Sequence, residues 1–292
     1  MTDPAAAFTE HRDLMFTVAY EMLGASADAE DVVQESWLRW ADVDHAAVRD
    51  ARAYLVRVVT RLALNRLRTV KRQRESYVGT WLPEPLITTD DVADDVELAE
   101  SVSFAMLVVL ESLAPAERAV FLLRDIFGFD YDEIAEAVGK SNTAVRQIAH
   151  RARDHVRARR PRGTVTRADH EAVSDRFFRA AAGGDLQALM DVLAPDVVLL
   201  SDGGGKVRAA LRPIIGQDKV LRFLDAVRPA DEGLRVETAW VNGRRSMLIH
   251  IHGVLDTVVT SHVQDGVVRE IYVIRNPEKL VRMQEAAARL AH

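Results

Sequence analysis

Between Glu75 and Glu117 the chain carries ten acidic residues and no lysine or arginine, and on either side of that stretch it turns strongly basic. From Arg49 to Arg74 nine basic residues face one acid, Asp50, and from Lys140 to Arg162 eight face Asp154. The net charge of −6 over 292 residues conceals this segregation. Such charge density on two separate segments suits a polyanion partner, and the acidic stretch between them is the wrong sign for it. The chain is therefore expected to fold as separate modules, with residues 76–100, which include Asp90, Asp91, Asp94, Asp95, Glu97 and Glu100, as a solvated tether.

Composition removes several classes of chemistry. With no cysteine, disulfides, thiolate metal sites and a cysteine nucleophile are excluded, and a reducing compartment, the cytoplasm, is expected. The longest apolar run, Phe104–Leu110, is far too short to span a bilayer, so no membrane partner is expected. Hydrophobic residues at 48% are enough to bury real cores.

Residues from about Phe8 to Arg74 read as helices. The first ends at Gly24, Ser26 is positioned to cap the second, and Asp28, Glu30 and Asp31 suit its positive N-terminal end. That second helix is expected to send Val33, Trp37 and Trp40 inward and to leave Asp31, Gln34 and Glu35 together on an outward face. In the third, from about Ala51, the residues Leu55, Val58, Val59 and Leu62 share one side, while Arg57, Arg61, Asn65, Arg68 and Arg72 advance along another in steps of three and four. After the tether, Pro115 suits a helix start. Tyr131–Val138, the turn Gly139-Lys140 and a helix capped by Ser141 then form a helix-turn-helix pattern. Val145, Ile148, Ala149, Ala152 and Val156 make the buried stripe of its second helix, leaving Asn142, Arg146, Gln147, His150 and Arg151 exposed, side chains that can reach base edges in a major groove.

Past Arg162 the texture changes: residues 166–292 carry 17 basic and 17 acidic residues and show strand patterns. Two helices precede a strand near Val197–Leu200 and a third helix follows Gly216. Strand-like runs then occupy Arg235–Val241, Ser246–His252, Leu255–Val263 and Val267–Ile274, with Asp265-Gly266 as a hairpin turn. Helices followed by a curled antiparallel sheet point to an α+β cone with an interior pocket.

The run Asp28-Ala29-Glu30-Asp31-Val32-Val33-Gln34-Glu35-Ser36-Trp37 resembles the core-polymerase-binding helix of an extracytoplasmic-function sigma factor. Arg52–Arg74 resembles the helix of the same domain that meets the minus-10 element, and Leu113–Arg159 resembles the second sigma domain with its minus-35-reading helix-turn-helix. The remainder resembles a SnoaL-like cone. Trp81-Leu82-Pro83-Glu84-Pro85, Asp202-Gly203-Gly204-Gly205-Lys206 and Asn276-Pro277-Glu278-Lys279-Leu280 are similar to segments of the SigJ-like group, in which such a cone is fused to the sigma domains. The resemblance implies a multidomain chain: two all-α sigma domains (1–75 and 101–162, the second with the helix-turn-helix), the 76–100 linker, and an α+β cone over 166–292.

Its implied partners are the core of bacterial RNA polymerase and promoter DNA. Asp31, Gln34 and Glu35 would dock on the clamp helices of the largest subunit, with the flap as a second contact. Arg57, Arg61, Asn65 and Arg68 would meet the minus-10 element, and Ser141, Asn142, Arg146, Gln147, His150 and Arg151 the minus-35 element. The Trp81–Pro85, Asp202–Lys206 and Asn276–Leu280 segments, Pro277, Lys279 and Leu280 included, would join linker and cone in a regulatory contact, with a small ligand or a protein on the cone as the signal. No cofactor and no catalysis are expected.

Two other classes fit parts of the chain. One is a SnoaL-type cyclase or isomerase fused to a DNA-binding module, working through His250, His252 or His262 with Asp202 or Asp256; His250 and His252 share a strand face by the two-residue period, although a metal there lacks a third ligand. The other is a ligand-responsive regulator that is not a sigma factor.

Overall fold

The computed structural model describes residues 4–88, 103–159, 166–227 and 233–290. The acidic cluster from Asp90 to Glu100, with Arg160 and Arg162, lies outside them. The chain divides into two compact units, Met1–Glu75 with Leu107–Arg160, and Ser76–Met106 with Pro161–His292. The segment after Glu75 thus groups with the C-terminal part of the chain.

In the first unit α1 (Pro4–Leu23), α2 (Ser26–Ala41) and α3 (Ala51–Glu75) pack on one another. Gly24, in the left-handed region at φ 68°, closes α1 so tightly that the one extended residue before α2 is Ala25. Ser26 is already helical and buried, and no side chain caps α2, contrary to the capping expected of Ser26. Ala29, Val32, Val33, Ser36 and Trp40 form the buried stripe, and the Trp40 indole N–H donates to the Pro4 carbonyl at 2.7 Å. Trp37, expected inward, flanks this stripe and stays 37% exposed, resting edge-on against Phe8. On α3, Leu55, Val58, Val59 and Leu62 are all buried, as their spacing requires.

The rest of this unit is α4 (Phe104–Glu111, its first turn falling in the second unit), α5 (Pro115–Phe121), which continues through a π-helical turn at Leu122–Ile126, α6 (Tyr131–Val138) and α7 (Asn142–Arg159). Pro115 opens α5 at a position where its missing N–H costs nothing. Gly139, at φ 66°, ends α6 in the left-handed conformation that a helix C-terminus favours. The Ser141 hydroxyl accepts the Ala144 N–H at 3.3 Å, and Val145, Ile148, Ala149, Ala152 and Val156 are buried beneath α7.

The second unit holds α8 (Arg167–Gly183), α9 (Leu186–Val192), β1 (Leu193–Asp202), β2 (Ile214–Ile215), α10 (Gln217–Ala226), β3 (Leu234–Val241), β4 (Arg244–Ile251), β5 (Val254–Gln264), β6 (Val267–Ile274) and α11 (Pro277–Leu290). Its sheet runs β2-β1-β6-β5-β4-β3. Three two-residue turns, Asn242-Gly243, His252-Gly253 and Asp265-Gly266, have positive φ at both positions, the geometry that matches the twist of paired strands. One pairing departs from the antiparallel expectation: β1 runs parallel to β6. Three consecutive hairpins fix the direction of β6, and the long crossover through α10 brings it alongside β1 in the same sense. Val197, Leu199, Met247, Val259, Ile271 and Val273 of the sheet pack with Phe177 of α8 and with Val220 and Leu221 of α10 in a single core.

Candidate functional site

On α2 the side chains of Asp31, Gln34 and Glu35 are exposed together. They line a surface groove of about 590 Å³ whose apolar part comes from Phe8, Val33, Trp37 and Leu38. Leu38 is 64% exposed. Asp31 is held by Arg66 of α3 at 2.9 Å, and Glu35 by Arg39 one turn along at 2.7 Å. The groove therefore presents carboxylates at a rim and two large apolar side chains beside them. Trp37 and Leu38 were missed by reading the helix as a buried stripe and a polar face, because an exposed tryptophan looks like a core residue until its neighbours are known.

The basic stripe of α3 faces α6. Arg57 Nη1 lies 2.7 Å from Glu136 Oε2, and Arg61 Nη2 donates to the Glu136 carbonyl at 2.7 Å. The Arg52 guanidinium lies over the Phe129 ring, 4.3 Å from its centroid. Asn65 is exposed one turn further on, and the Arg68 side chain falls outside the described ones. The stripe that the resemblance assigns to the minus-10 element thus has its first two arginines on the helix-turn-helix. The amphipathic pattern of α3 alone cannot show this, since a basic face suits a carboxylate and a carbonyl as well as a phosphate.

Helix α7 projects Arg146, Gln147, His150 and Arg151 from one exposed face. Ser141 is engaged as the cap of its own helix, and Asn142 bonds to both Asp132 and Arg146. His150 lies 3.5 Å from Asp154 on the same helix.

In the second unit the three segments singled out by sequence meet at one point. Asp202, at the end of β1, is fully buried. Its Oδ2 accepts the Leu82 N–H at 2.9 Å and the Lys279 ammonium at 2.8 Å, while Oδ1 accepts the Tyr77 hydroxyl at 2.5 Å and the Gly204 N–H at 3.0 Å. Lys279 also donates to the Leu82 carbonyl and lies 3.4 Å from the Trp81 ring centroid. Asn276 donates to Tyr77 Oη at 2.8 Å, and Lys206 pairs with Glu278. Burial, with the bond to Asp202, raises the Tyr77 pKa and keeps its hydroxyl a donor.

Gly204 is left-handed, and a Cβ there would sit 2.5 Å from the Asn276 amide, so only glycine fits. A Cβ on Gly203 would strike the Val207 carbonyl, and Gly205 abuts Val78. Pro83, Pro85 and Leu280 are buried, Glu84 is half-buried, and Pro277 is exposed at the first position of α11. Beyond Pro85, Leu86 exchanges two hydrogen bonds with Asn242, and Ile87 pairs antiparallel with Val241. Tyr77 was missed by sequence reasoning; its only signal is an aromatic ring four residues ahead of Trp81.

His250 and His252 do not converge. Strand β4 ends at Ile251, so His252 lies in the turn, exposed at φ 51°, and does not share a strand face with His250 as expected. His250 approaches Glu237 at 3.7 Å, and Asp256 is paired with Arg275 at 2.9 Å. Among the described residues no three histidines or carboxylates form a group that could hold a metal ion, and no helix is long and apolar enough to cross a membrane.

Residues 7–73 match the Sigma-70 region 2 family and residues 103–156 the Sigma-70, region 4 family. The chain is 40% identical over 287 residues to the ECF RNA polymerase sigma factor SigJ of Mycobacterium tuberculosis strain H37Rv, an alignment covering 93% of this chain and 91% of SigJ. The chain belongs to the extracytoplasmic-function sigma factors. This sigma factor is also 32% identical to the probable ECF RNA polymerase sigma factor SigI of the same organism, with 95% of each chain covered. The crystal structure of Mycobacterium tuberculosis SigJ matches it with a TM-score of 0.76 at 37% identity, over 95% of this chain and 98% of that one. The match spans both sigma regions and the C-terminal α+β domain, so this sigma factor is a transcription initiation factor whose partners are RNA polymerase core and promoter DNA.

Proposed function

We propose that this sigma factor is controlled in cis, through the grip of its C-terminal cone on the segment that joins region 2 to region 4. The carrying observation is Asp202, a buried carboxylate with four donors, three of them from Tyr77, Leu82 and Lys279. Tyr77 and Leu82 lie between the two sigma regions in sequence, so whatever loosens this clamp changes the freedom of the connecting chain. The cone serves as a regulatory element rather than a catalyst, and a ligand or protein bound to it shifts the population of clamped and released forms.

In the cytoplasm, the α2 groove receives the clamp helices of the polymerase, with the Asp31, Gln34 and Glu35 rim setting register and Trp37 and Leu38 supplying apolar contact; the flap meets region 4. Arg57, Arg61, Asn65 and Arg68 contact the minus-10 element once Arg57 and Arg61 exchange Glu136 for phosphate. The Arg146, Gln147, His150 and Arg151 face of α7 enters the minus-35 major groove.

Run-off transcription with bacterial core polymerase tests the control. The full chain is compared with Asp202→Ala and Lys279→Met on promoters selected from genomic fragments. Transcripts dependent on the added protein, changed several-fold in yield by either substitution, are expected. Equal yields from all three proteins would remove the cone from the control of initiation.

A further inference from the structure

Between α6 and α7 a chain of polar contacts ends on a single unpaired guanidinium group. The Asn142 amide donates to Asp132 Oδ1, and Asn142 Oδ1 accepts the Arg146 Nε–H at 2.7 Å. Asp132 can only accept and Arg146 can only donate, so one orientation of the amide satisfies both. The Arg146 guanidinium also lies over the Tyr131 ring, 4.4 Å from its centroid, and Arg124 lies over the same ring at 4.8 Å. The Tyr131 hydroxyl accepts from Arg153 at 3.4 Å, and Arg153 is anchored by Asp125 at 2.7 Å. The ring is thus engaged by two guanidinium groups and its hydroxyl by a third, which fixes the surface on which Arg146 rests.

Arg146 is exposed, and its Nη1 and Nη2 have no partner among the described residues. An arginine with Nε spent and both terminal nitrogens open presents an end-on fork. That fork matches the two acceptors, O6 and N7, that guanine shows in the major groove, and no other base presents two acceptors there. Asn142 is neutral and Asp132 does not touch the guanidinium, so the group is held without its charge being cancelled by a direct pair. Fixing a long side chain before binding removes an entropy cost that a free surface arginine would incur on docking.

We propose that Asp132, Asn142 and Tyr131 are positioning residues that preset Arg146 as the reader of one guanine in the minus-35 element. This rests on the reading that the exposed face of α7 enters the major groove.

The test uses the full chain assembled with core polymerase on a promoter whose minus-35 guanines are replaced one at a time by 7-deazaguanine, which removes N7 and keeps base pairing. With the native protein, one replacement weakens promoter binding on the order of tenfold. Arg146→Ala should weaken binding to the unmodified promoter by a similar factor and become indifferent to that one replacement, while other positions keep their penalties. Asn142→Ala, Asp132→Ala and Tyr131→Ala should shrink the same penalty several-fold. Asp132→Asn, which retains an acceptor, and Tyr131→Phe, which retains the ring, should restore most of it.

If Arg146→Ala keeps the full penalty at every guanine, Arg146 is not the reader. If Arg146→Ala abolishes the penalty but Asn142→Ala and Asp132→Ala leave it whole, the positioning role is overturned. If Arg146→Ala, Gln147→Ala and Arg151→Ala all bind the promoter as the native chain does, the underlying placement of α7 fails instead. Circular dichroism spectra matching the native chain keep a folding defect from imitating any of these results.

Discussion

The Lys279 ammonium lies 2.8 Å from Asp202 Oδ2 with 4% and 0% of the two side chains exposed, the most deeply buried ion pair among the described residues of the second unit. Both charges have been taken out of water, which is costly, and the structure offsets that cost with further polar contacts: the Leu82 carbonyl and the Trp81 face for the lysine, and three more donors for the aspartate. Removing one partner strands the other. Asp202→Ala leaves a buried ammonium without its counter-charge, and should destabilise the second unit by about 3–5 kcal/mol. Lys279→Met keeps a side chain of similar length and leaves Asp202 three donors, so a cost nearer 2–3 kcal/mol is expected. Denaturant unfolding followed by tryptophan fluorescence, in a background with Trp37, Trp40 and Trp240 replaced by phenylalanine so that Trp81 alone reports, measures both, and costs below about 1 kcal/mol would show that the clamp does not hold the segment.

A different balance holds at Glu136. Its carboxylate is 66% exposed and pairs with Arg57 across the two sigma regions. An ion pair so open to solvent contributes about 0–1 kcal/mol, so Glu136→Gln should leave the unfolding midpoint of the first unit nearly where it was. On the proposed role of Arg57 in the minus-10 contact, it also removes a charge that competes with phosphate. Holoenzyme carrying Glu136→Gln should therefore bind promoter DNA faster at low salt, with the gain fading as salt is raised. Slower association would mean that Glu136 aids binding rather than opposing it.

The two units should respond to pH in opposite senses. Glu21 on α1 is fully buried, and neither carboxyl oxygen has a hydrogen-bond partner among the described residues. Burial pushes its pKa from 4.5 up to about 8, against the pull of the neighbouring Arg118, whose own Nε donates to the Glu21 carbonyl at 2.8 Å. An acid with a raised folded pKa holds its proton longer in the folded state. The stability this unit has below pH 4.5 is therefore lost as pH rises toward 8. His170 on α8 is the converse case: burial, reinforced by the Arg244 charge, lowers its pKa from 6.5 to about 3. The folded second unit resists taking up that proton, so its stability is full above pH 6.5 and declines as pH falls toward 3. Unfolding free energies at pH 6 and pH 8.5 for the native chain and Glu21→Gln give the check. The substitution should flatten the loss on the alkaline side, and an unchanged slope would place the cause elsewhere.

Much of this was legible in the residues. The 3.6-residue periods of α3 and α7, the Gly139 turn and the Asp265-Gly266 hairpin are local signals, and local signals survive in a sequence. The meeting of Trp81–Pro85, Asp202–Lys206 and Asn276–Leu280 was legible only through resemblance, because no periodicity links residues 77 to 197 positions apart. What could not be read depends on which surface covers which. Trp37 stays 37% exposed while packing in a T-shaped contact with Phe8, and Arg57 meets Glu136 because α6 packs on α3. His252 left its strand face because a two-residue turn began one residue earlier than the alternation suggested. The buried Glu21–Arg118 contact joins two regions through a backbone carbonyl, a partner that every residue possesses and no sequence marks.

The proposed docking of the α2 groove separates stability from binding. Leu38 is 64% exposed, so a charge placed there meets water in the free protein, and Leu38→Asp should shift unfolding by no more than about 0.5 kcal/mol. If the α2 groove receives the polymerase as proposed, the same position comes to lie against the partner, and large apolar side chains at the centre of an interface carry much of its energy. A carboxylate buried there without a counter-charge should weaken binding to core polymerase at least tenfold, about 1.4 kcal/mol. Trp37→Ala should also weaken it but will cost some stability through the lost contact with Phe8, so Leu38→Asp is the sharper probe. Fluorescence titration of labelled sigma factor with core polymerase reads the affinity directly. An unchanged affinity for Leu38→Asp, beside a loss for Glu35→Ala, would confine docking to the acidic rim and leave the apolar half of the groove without a role in it.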